Sequence, residues 1–451
     1  MIAAVVERCA GIDVGKTSIS VCVMVGAADQ DPQTKLCTYG TTNAELEQLR
    51  DWLIAEQCTH AVLESTGTYW KPIFNVLEDS VTVVLANAED VKGRKGHKTD
   101  PTDAWWLAHL LRHAMVRPSF VPPRAVRELR DLTRRRRQVL HDATSERNRV
   151  EKVLEDANVK LSSVLADLFG VSGQLMLEAL LDGKASATEI AQLAQRQAKR
   201  KIPELTAAVE GHRMSDHHRW MIRSSLKHLA FLEQEVFELD EQILHHIEAA
   251  GMQPALQLLE SLPGVQQDSA VSILAEVGPD MRPFPSSAHL SSWAGLCPGN
   301  RRSAGKDKGG RTTRGNRWLR ATLTQCAWAA AAKKNCYLKG KFWRLAAEGK
   351  KRAIVAVAHT LLVLVYQVLG EAKPYRERQT PVVEERQRKR LIRHHVRSLG
   401  RLGINVGFSS QRAASPTSSC RSRSPLGAAL TNSSYGEQYF RNNPCGCCLS
   451  D

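Results

Sequence analysis

The sequence predicts three structured parts in order: an α/β domain over residues 8–120, a long helical, coiled-coil-like segment over 124–250, and a mainly α C-terminal domain over 255–406. Three observations predict this order. Strand-like and helix-like runs alternate as far as about residue 120. From 124 onward apolar residues recur at spacings of three and four, the seam of long paired helices. Beyond 255 the apolar runs have helix length and are separated by Pro-Gly and Gly-rich turns.

"CAGIDVGKTSISVCVMV" reads as two strands around a turn at Gly15, with apolar alternation in the second. "NAELEQLRDWLIAEQ" has the stripe of an amphipathic helix, "HAVLEST" reads as a buried strand, "YWKPIFNVLED" as a helix and "VTVVLAN" as another strand. "KTDPTDAWWLAHLLRHA" opens with Thr and Asp suited to capping and with Pro101 near the first turn, so a helix starts there. Trp105 and Trp106 read as core, and His97 and His109 as structural histidines that could otherwise assist proton transfer. Leu140, Ala143, Val150, Leu154, Ala157 and Leu161 share one helical face, and Leu229, Leu232, Val236, Leu239, Ile243 and Ile247 share another. Two long helices packed on each other, or on another subunit, would bury both seams. Arg134–Arg137 reads as a solvated strip or one that touches nucleic-acid backbone. "LESLPGVQQDSAVSILAEVG" resembles a helix-hairpin-helix unit, whose turn amides can hold a DNA phosphate. The run "AIVAVAHTLLVLVYQVLG" falls short of the about 20 residues that cross a bilayer and carries His359, Thr360 and Gln367, so it reads as a buried helix. Residues 407–451, rich in Ser, Arg, Pro and Ala without periodicity, are expected to be a disordered tail.

A formal charge of +15 and a pI of about 9.4 point to polyanionic partners, and no other segment looks membranous. The charge is concentrated: residues 301–352 hold sixteen Lys and Arg against two acids, Asp307 and Glu348. The eleven cysteines lie four in the first 60 residues, three between 297 and 336, and four after 419. They form no paired metal array or disulfide framework, and reduced thiols are expected. The opening "MIAAVVERCAGID" turns polar quickly and predicts no secretory signal. A cytoplasmic protein is the expectation.

Four acids stand where phosphoryl chemistry would want them. Asp13 lies on the first strand, Glu64 ends a later buried strand, and Asp100 and Asp103 share one face at a helix start. Carboxylates gathered at one sheet edge repel one another unless a divalent cation neutralises them, and hard oxygen donors suit Mg2+ or Mn2+. Asp100 or Asp103 alone would be an ordinary helix cap, whereas an acid on an apolar strand needs a partner. The same "GIDVGKTS" also looks like the phosphate hairpin of actin-like sugar kinases, but no second phosphate loop or second α/β lobe follows it.

In "RRSAGK", Ser303 follows Arg301 and Arg302 and precedes Lys306, with Arg311, Arg314, Arg317 and Arg320 beyond. From residue types alone, Ser303 is either a loop serine that binds a phosphate or a nucleophile whose cationic surround offsets phosphate charge. Ser286, Ser287, Ser291 and Ser292 sit near a helix start, where capping accounts for them.

The chain resembles the IS110-family transposases, more particularly the IS1111-like group. "GIDVGKTS", "LESTGTYW", "GRKGHKTDPTDAWWLAHLL" and "SFVP…RELRDLTR" are similar to the family's RuvC-like DEDD domain. "LPGV…AEVGPDM", "HLSSWAGLCPGN", "RRSAGK", "RTTRGNRWLR" and "AVAHTLLVLVY" are similar to its C-terminal transposase domain. The resemblance covers roughly residues 8–406. It implies a RuvC/RNase H-like fold for the first domain, metal-binding acids at Asp13, Glu64, Asp100 and Asp103, and a nucleophilic serine at Ser303. It also implies cutting and rejoining of donor and target DNA for an insertion sequence, guidance by a structured noncoding RNA from the element, and a homo-oligomer, dimer or tetramer, with sites shared between protomers. Two other classes remain: a metal-dependent RuvC-like junction nuclease in which water attacks, and a non-catalytic nucleic-acid-binding remnant of a transposase.

Overall fold

The computed structural model describes residues 5–65, 67–87, 91, 100–298, 302–303, 306–307, 312–377, 392–397 and 399–401; at 100, 302, 303, 306, 307 and 348 it describes the backbone alone. Residues 1–380 form one compact unit and 381–451 a second. The account below concerns the first; the expected tail at 407–451 lies outside the described residues.

The N-terminal part contains β1 (Arg8–Val14), β2 (Ser18–Val25), β3 (Gln33–Gly40), α1 (Asn43–Ala55), β4 (His60–Glu64), α2 (Trp70–Leu77), β5 (Thr82–Ala86) and α3 (Asp100–Arg112). The strands form one mixed sheet in the order β3-β2-β1-β4-β5. β1, β2 and β3 are antiparallel neighbours, whereas β4 and β5 run parallel to β1. Strand alternation gives the sheet two faces. Ala10, Ile12, Ala61 and Leu63 pack beneath α1 and α2, while Cys9, Val62 and Ala86 pack against Ala104, Leu107 and Ala108 of α3.

β3 was not expected. Its first six residues are exposed and show no apolar alternation; backbone pairing to β2, the Lys35–Glu56 ion pair and Tyr39 against Trp52 hold it at the sheet edge.

The middle contains α4 (Arg124–Asp156), α5 (Leu161–Val164), α6 (Val171–Asp182), α7 (Ala187–Gln192), α8 (Ile202–Val209) and α9 (Asp216–Ala249). The two long helices, α4 and α9, run antiparallel. His246 meets the Ala125 carbonyl near one end, Arg136 pairs with Asp240, His228 meets Glu146, and His218 meets Asp156 near the other. Val139, Ala143, Leu229 and Leu232 are buried between them. Two assignments on the expected α4 seam differ: Leu140 is exposed, and Ala157 and Leu161 lie beyond the helix end. The short helices α5 to α8 build a separate core with Val150, Leu154 and Ile222.

The remainder contains α10 (Gln253–Glu260), α11 (Gln267–Val277), α12 (Ser287–Trp293), β6 (Arg302–Ser303), β7 (Lys306–Asp307), α13 (Arg317–Ala332), α14 (Tyr337–Leu345) and α15 (Lys350–Glu371). These helices share a core that also takes in Val126 and Leu129 from the start of α4. Among the described helices, α15 alone is long and apolar enough to cross a bilayer. Here Ala353, Ile354, Val357, Ala358, Leu361, Leu362 and Val365 are buried against the neighbouring helices.

Candidate active site and nucleic-acid interface

The acid positions are set by how α3 lies on the sheet. Ile12 of β1 pairs with Leu63 of β4, so Asp13 and Glu64 are the next residues on adjacent parallel strands. Alternation puts both on the α3 face, because Cys9 and Val62 point that way. α3 crosses β1 in the opposite direction. A Cβ at Gly11 would collide with the Ala104 carbonyl and approach the Ala108 Cα to 2.9 Å. Farther along, the Cys9 thiol donates to the Ala108 carbonyl at 3.6 Å, and Arg112 reaches Val6 and Glu7. The N-terminus of α3 therefore lies at the C-terminal edge of β1 and β4. Asp103 is one residue before the Gly11 crossing and Asp100 one turn earlier, at the helix start. The structure brings these four backbone positions to one edge. Among the described residues, no group of three or more His, Cys, Asp or Glu side chains is arranged to hold a metal ion; the side chain of Asp100 is not among them.

Trp105 corrects an expectation: it is 40% exposed and stacks on His109, ring centroids 5.2 Å apart. Trp106 is partly buried, as expected of a core residue, and donates to the Val91 carbonyl at 3.1 Å. Burial, and then the charges of His113 and Arg112, hold His109 below the usual imidazole range. His97 lies outside the described residues.

The serine segment forms a hairpin. Arg302 pairs with Asp307 and Ser303 with Lys306, and the Pro298–Thr312 bridge closes the stem below them. At the root two chain segments cross almost in contact: a Cβ on Gly295, whose φ is +69°, would meet Gly315 at 2.9 Å. Only glycine serves at such a crossing. Arg301 and Arg311 lie outside the described residues, and of Arg302, Ser303 and Lys306 only the backbone is described. Arg314 and Arg317 are exposed. Arg320 is turned back into the protein, donating to the Thr312 hydroxyl at 3.0 Å and the Thr313 carbonyl at 3.4 Å, so it braces the hairpin root. The neighbouring serines differ from one another: Ser286 occupies the N-cap position of α12 and its hydroxyl meets His289, whereas Ser291 is fully buried.

A buried network not foreseen in the sequence fixes that root. Asn316 caps α13, accepting from the amides of Trp318 and Leu319. Its amide nitrogen donates to Glu276, which is 3% exposed and also takes two hydrogen bonds from Arg134 and an ion pair from Arg130. The clues were an acid inside the apolar helix "SILAEV" and an Asn directly before a helix. Arg134 and Arg137 lie over Trp318, Arg135 pairs with Glu235, and Arg136 pairs with Asp240 and Asp268. The Arg134–Arg137 strip is thus engaged within the protein.

A five-stranded mixed α/β part is thus followed by mostly helical structure, with four acid positions at one sheet edge and Ser303 on a short two-stranded hairpin. Comparison with known proteins gives the family. The IS110-type DEDD transposase family model, described as "Transposase", matches residues 10–159, and the "Transposase IS116/IS110/IS902 family" model matches 256–344. A protein of the insertion element IS110 from Streptomyces coelicolor is 29% identical over 167 residues, which is 36% of this chain and 40% of that relative. The pilin gene-inverting protein of Moraxella bovis is 20% identical over 380 residues, 82% of this chain and 97% of that protein. The chain belongs to the IS110 family of transposases and carries its N-terminal DEDD domain.

Proposed function

We propose that this chain is the recombinase of an insertion sequence, exchanging DNA strands through a covalent link to Ser303. The observation that carries the reading is that the backbone positions of Asp13, Glu64, Asp100 and Asp103 lie at one sheet edge, with α3 laid antiparallel over Gly11. The strand order β3-β2-β1-β4-β5 supports a RuvC/RNase H-like domain. The donor set, carboxylates alone, fits a hard divalent cation. These four acids would hold Mg2+ or Mn2+, which supplies charge neutralisation at a scissile phosphate.

The chain's own groups do the rest. The Ser303 hydroxyl attacks phosphorus; the Oγ–P bond forms as the P–O3′ bond breaks, the serine loses its proton and the 3′ oxygen leaves as a hydroxyl. A 3′-hydroxyl from another strand reverses these changes and joins the exchanged strand without ATP. Arg301, Arg302 and Lys306 offset charge on the phosphate, and Arg311, Arg314 and Arg317 contact the backbone. Arg320 positions the hairpin instead. Donor and target DNA are the substrates, a structured RNA of the element selects them by pairing, and two or more copies complete each site. Similarity along most of a protein named for inverting a pilin gene is in keeping with strand exchange.

A denaturing gel tests this directly. The protein is mixed with the element's RNA, labelled donor and target DNA, and Mg2+, alongside the variants Ser303→Ala and Asp13→Ala. A DNA-linked protein band that both variants lose is expected. Cleavage that survives Ser303→Ala with no linked band would overturn the serine reading in favour of water attack, as in a junction nuclease.

A further inference from the structure

We propose that the surface around Trp328 and Trp343 binds an unpaired polynucleotide strand by base stacking, DNA and RNA alike. This goes beyond the chemistry at Ser303 and rests on none of its residues.

The two indoles are 46% and 54% exposed. Both flank Phe342, which is buried, at centroid distances of 5.5 and 5.3 Å. A buried ring between them fixes both indoles on one surface, formed by the last turns of α13 and the middle of α14. Exposed aromatic faces held rigidly suit a partner with flat faces of its own.

The charge around them has one sign. Residues 328–352 contain eight Lys and Arg against a single acid, Glu348. Lys333, Lys334, Arg344, Lys350, Lys351 and Arg352 are exposed. Among the described residues none of the eight is paired with a carboxylate; the only polar contacts are from Lys339 to the Ala332 carbonyl and from Lys341 to the Thr360 hydroxyl. The contrast is with α4, whose Arg130, Arg134, Arg135 and Arg136 each pair with an acid. Lys350, Lys351 and Arg352 also occupy the first turn of α15, the helix end whose dipole favours anions and disfavours cations. Such a placement weakens the isolated helix and is offset when phosphates arrive.

The aromatic pair decides which polyanion. In a duplex the base faces are stacked on one another and closed to an indole, whereas an unpaired strand offers them, and every base has such a face. Lys and Arg on phosphates read neither sequence nor sugar. A second copy of the same face would bring like charges together, so self-association through this patch is disfavoured.

The test uses the full chain carrying Ser303→Ala, without divalent metal, titrated with labelled oligo-dT, oligo-U and a duplex. Both single strands should bind with affinities within about threefold of each other and quench indole emission. Trp328→Ala with Trp343→Ala should weaken both by about tenfold or more while leaving duplex binding nearly unchanged. Trp328→Phe with Trp343→Phe keeps most of the affinity, a control against misfolding. Lys333→Gln with Lys334→Gln should flatten the salt dependence by about one counterion per lysine. Equal losses on duplex and single strands, no loss on single strands, or a dimer that dissociates in the Trp→Ala pair would overturn the proposal. No nucleophile or acid takes part, so its failure is separate from failure of the serine mechanism.

Discussion

Gly11 shows how little room the acid edge allows. A side chain there must displace α3, because the Ala104 carbonyl and the Ala108 backbone already occupy the space. Gly11→Ala is expected to destabilise by about 3 kcal/mol, read by urea unfolding, and, under the proposed mechanism, to lower DNA cleavage further by moving Asp103 away from Asp13. Arg112 is 1% exposed and donates to five carbonyls, those of Val6, Glu7, Gly26, Ala27 and Gln30. Arg112→Met removes five hydrogen bonds made by a buried guanidinium, an expected loss of about 3 kcal/mol. Burial pushes Cys9 and Cys58 up to about 12 and Cys22 up to about 11, from an ordinary 9.0. Unfolded chain sheds these protons first, so stability contributed by the neutral thiols is complete below pH 9 and is lost as pH rises through the folded values. Denaturant titrations above pH 9 should show that decline. Maleimide labelling of native protein should mark exposed Cys37 and spare these three. The strand positions of Asp13 and Glu64 were legible in the sequence because each stands at the end of an apolar run. Arg112 was not, because its partners lie 82 to 106 residues away in sequence, just before β1 and in the loop after β2.

At the scale of elements, Glu276 joins α11 to α4 and, through Asn316, to the start of α13. Glu276→Ala would strand two arginines and an amide in a buried place. The expected loss is about 3–5 kcal/mol, measurable as a shift in unfolding midpoint, whereas Glu276→Gln keeps the contact with Asn316 and should lose less. Elements with a strong period were readable: β1, β2, β4, β5, α3 and the two long helices all carry their pattern in the chain. β3 carries none, since an exposed edge strand needs no apolar face. The helices α5 to α8 are short, and their core is assembled from single turns, so no repeat betrays them. The serine hairpin was visible as composition but not as structure, because its shape depends on the crossing of Gly295 with Gly315.

Across the whole molecule, a charge of +15 predicts nucleic-acid affinity that falls steeply with salt; the log–log slope should approach about −0.9 per phosphate neutralised on duplex DNA, measured by anisotropy over a salt series. The acids that balance α4's arginines narrow where that charge is available, and among the described residues the surface of α13 to α15 is one place where it stays unpaired with carboxylates. One element also limits how the molecule can move. Arg127 of α4 grips Glu78 and Asn75 beside α2 and lies over Phe74. One turn on, Leu129, Arg130 and Arg134 of the same helix are built into the C-terminal core. The acid-bearing sheet and the foundation of the serine hairpin are therefore bolted to a single rod within each chain, with no hinge between the bolts. Amides at 124–136 should exchange slowly, and equally slowly with DNA bound. The two parts of one chain then move together, and no rearrangement can come from a swivel between them.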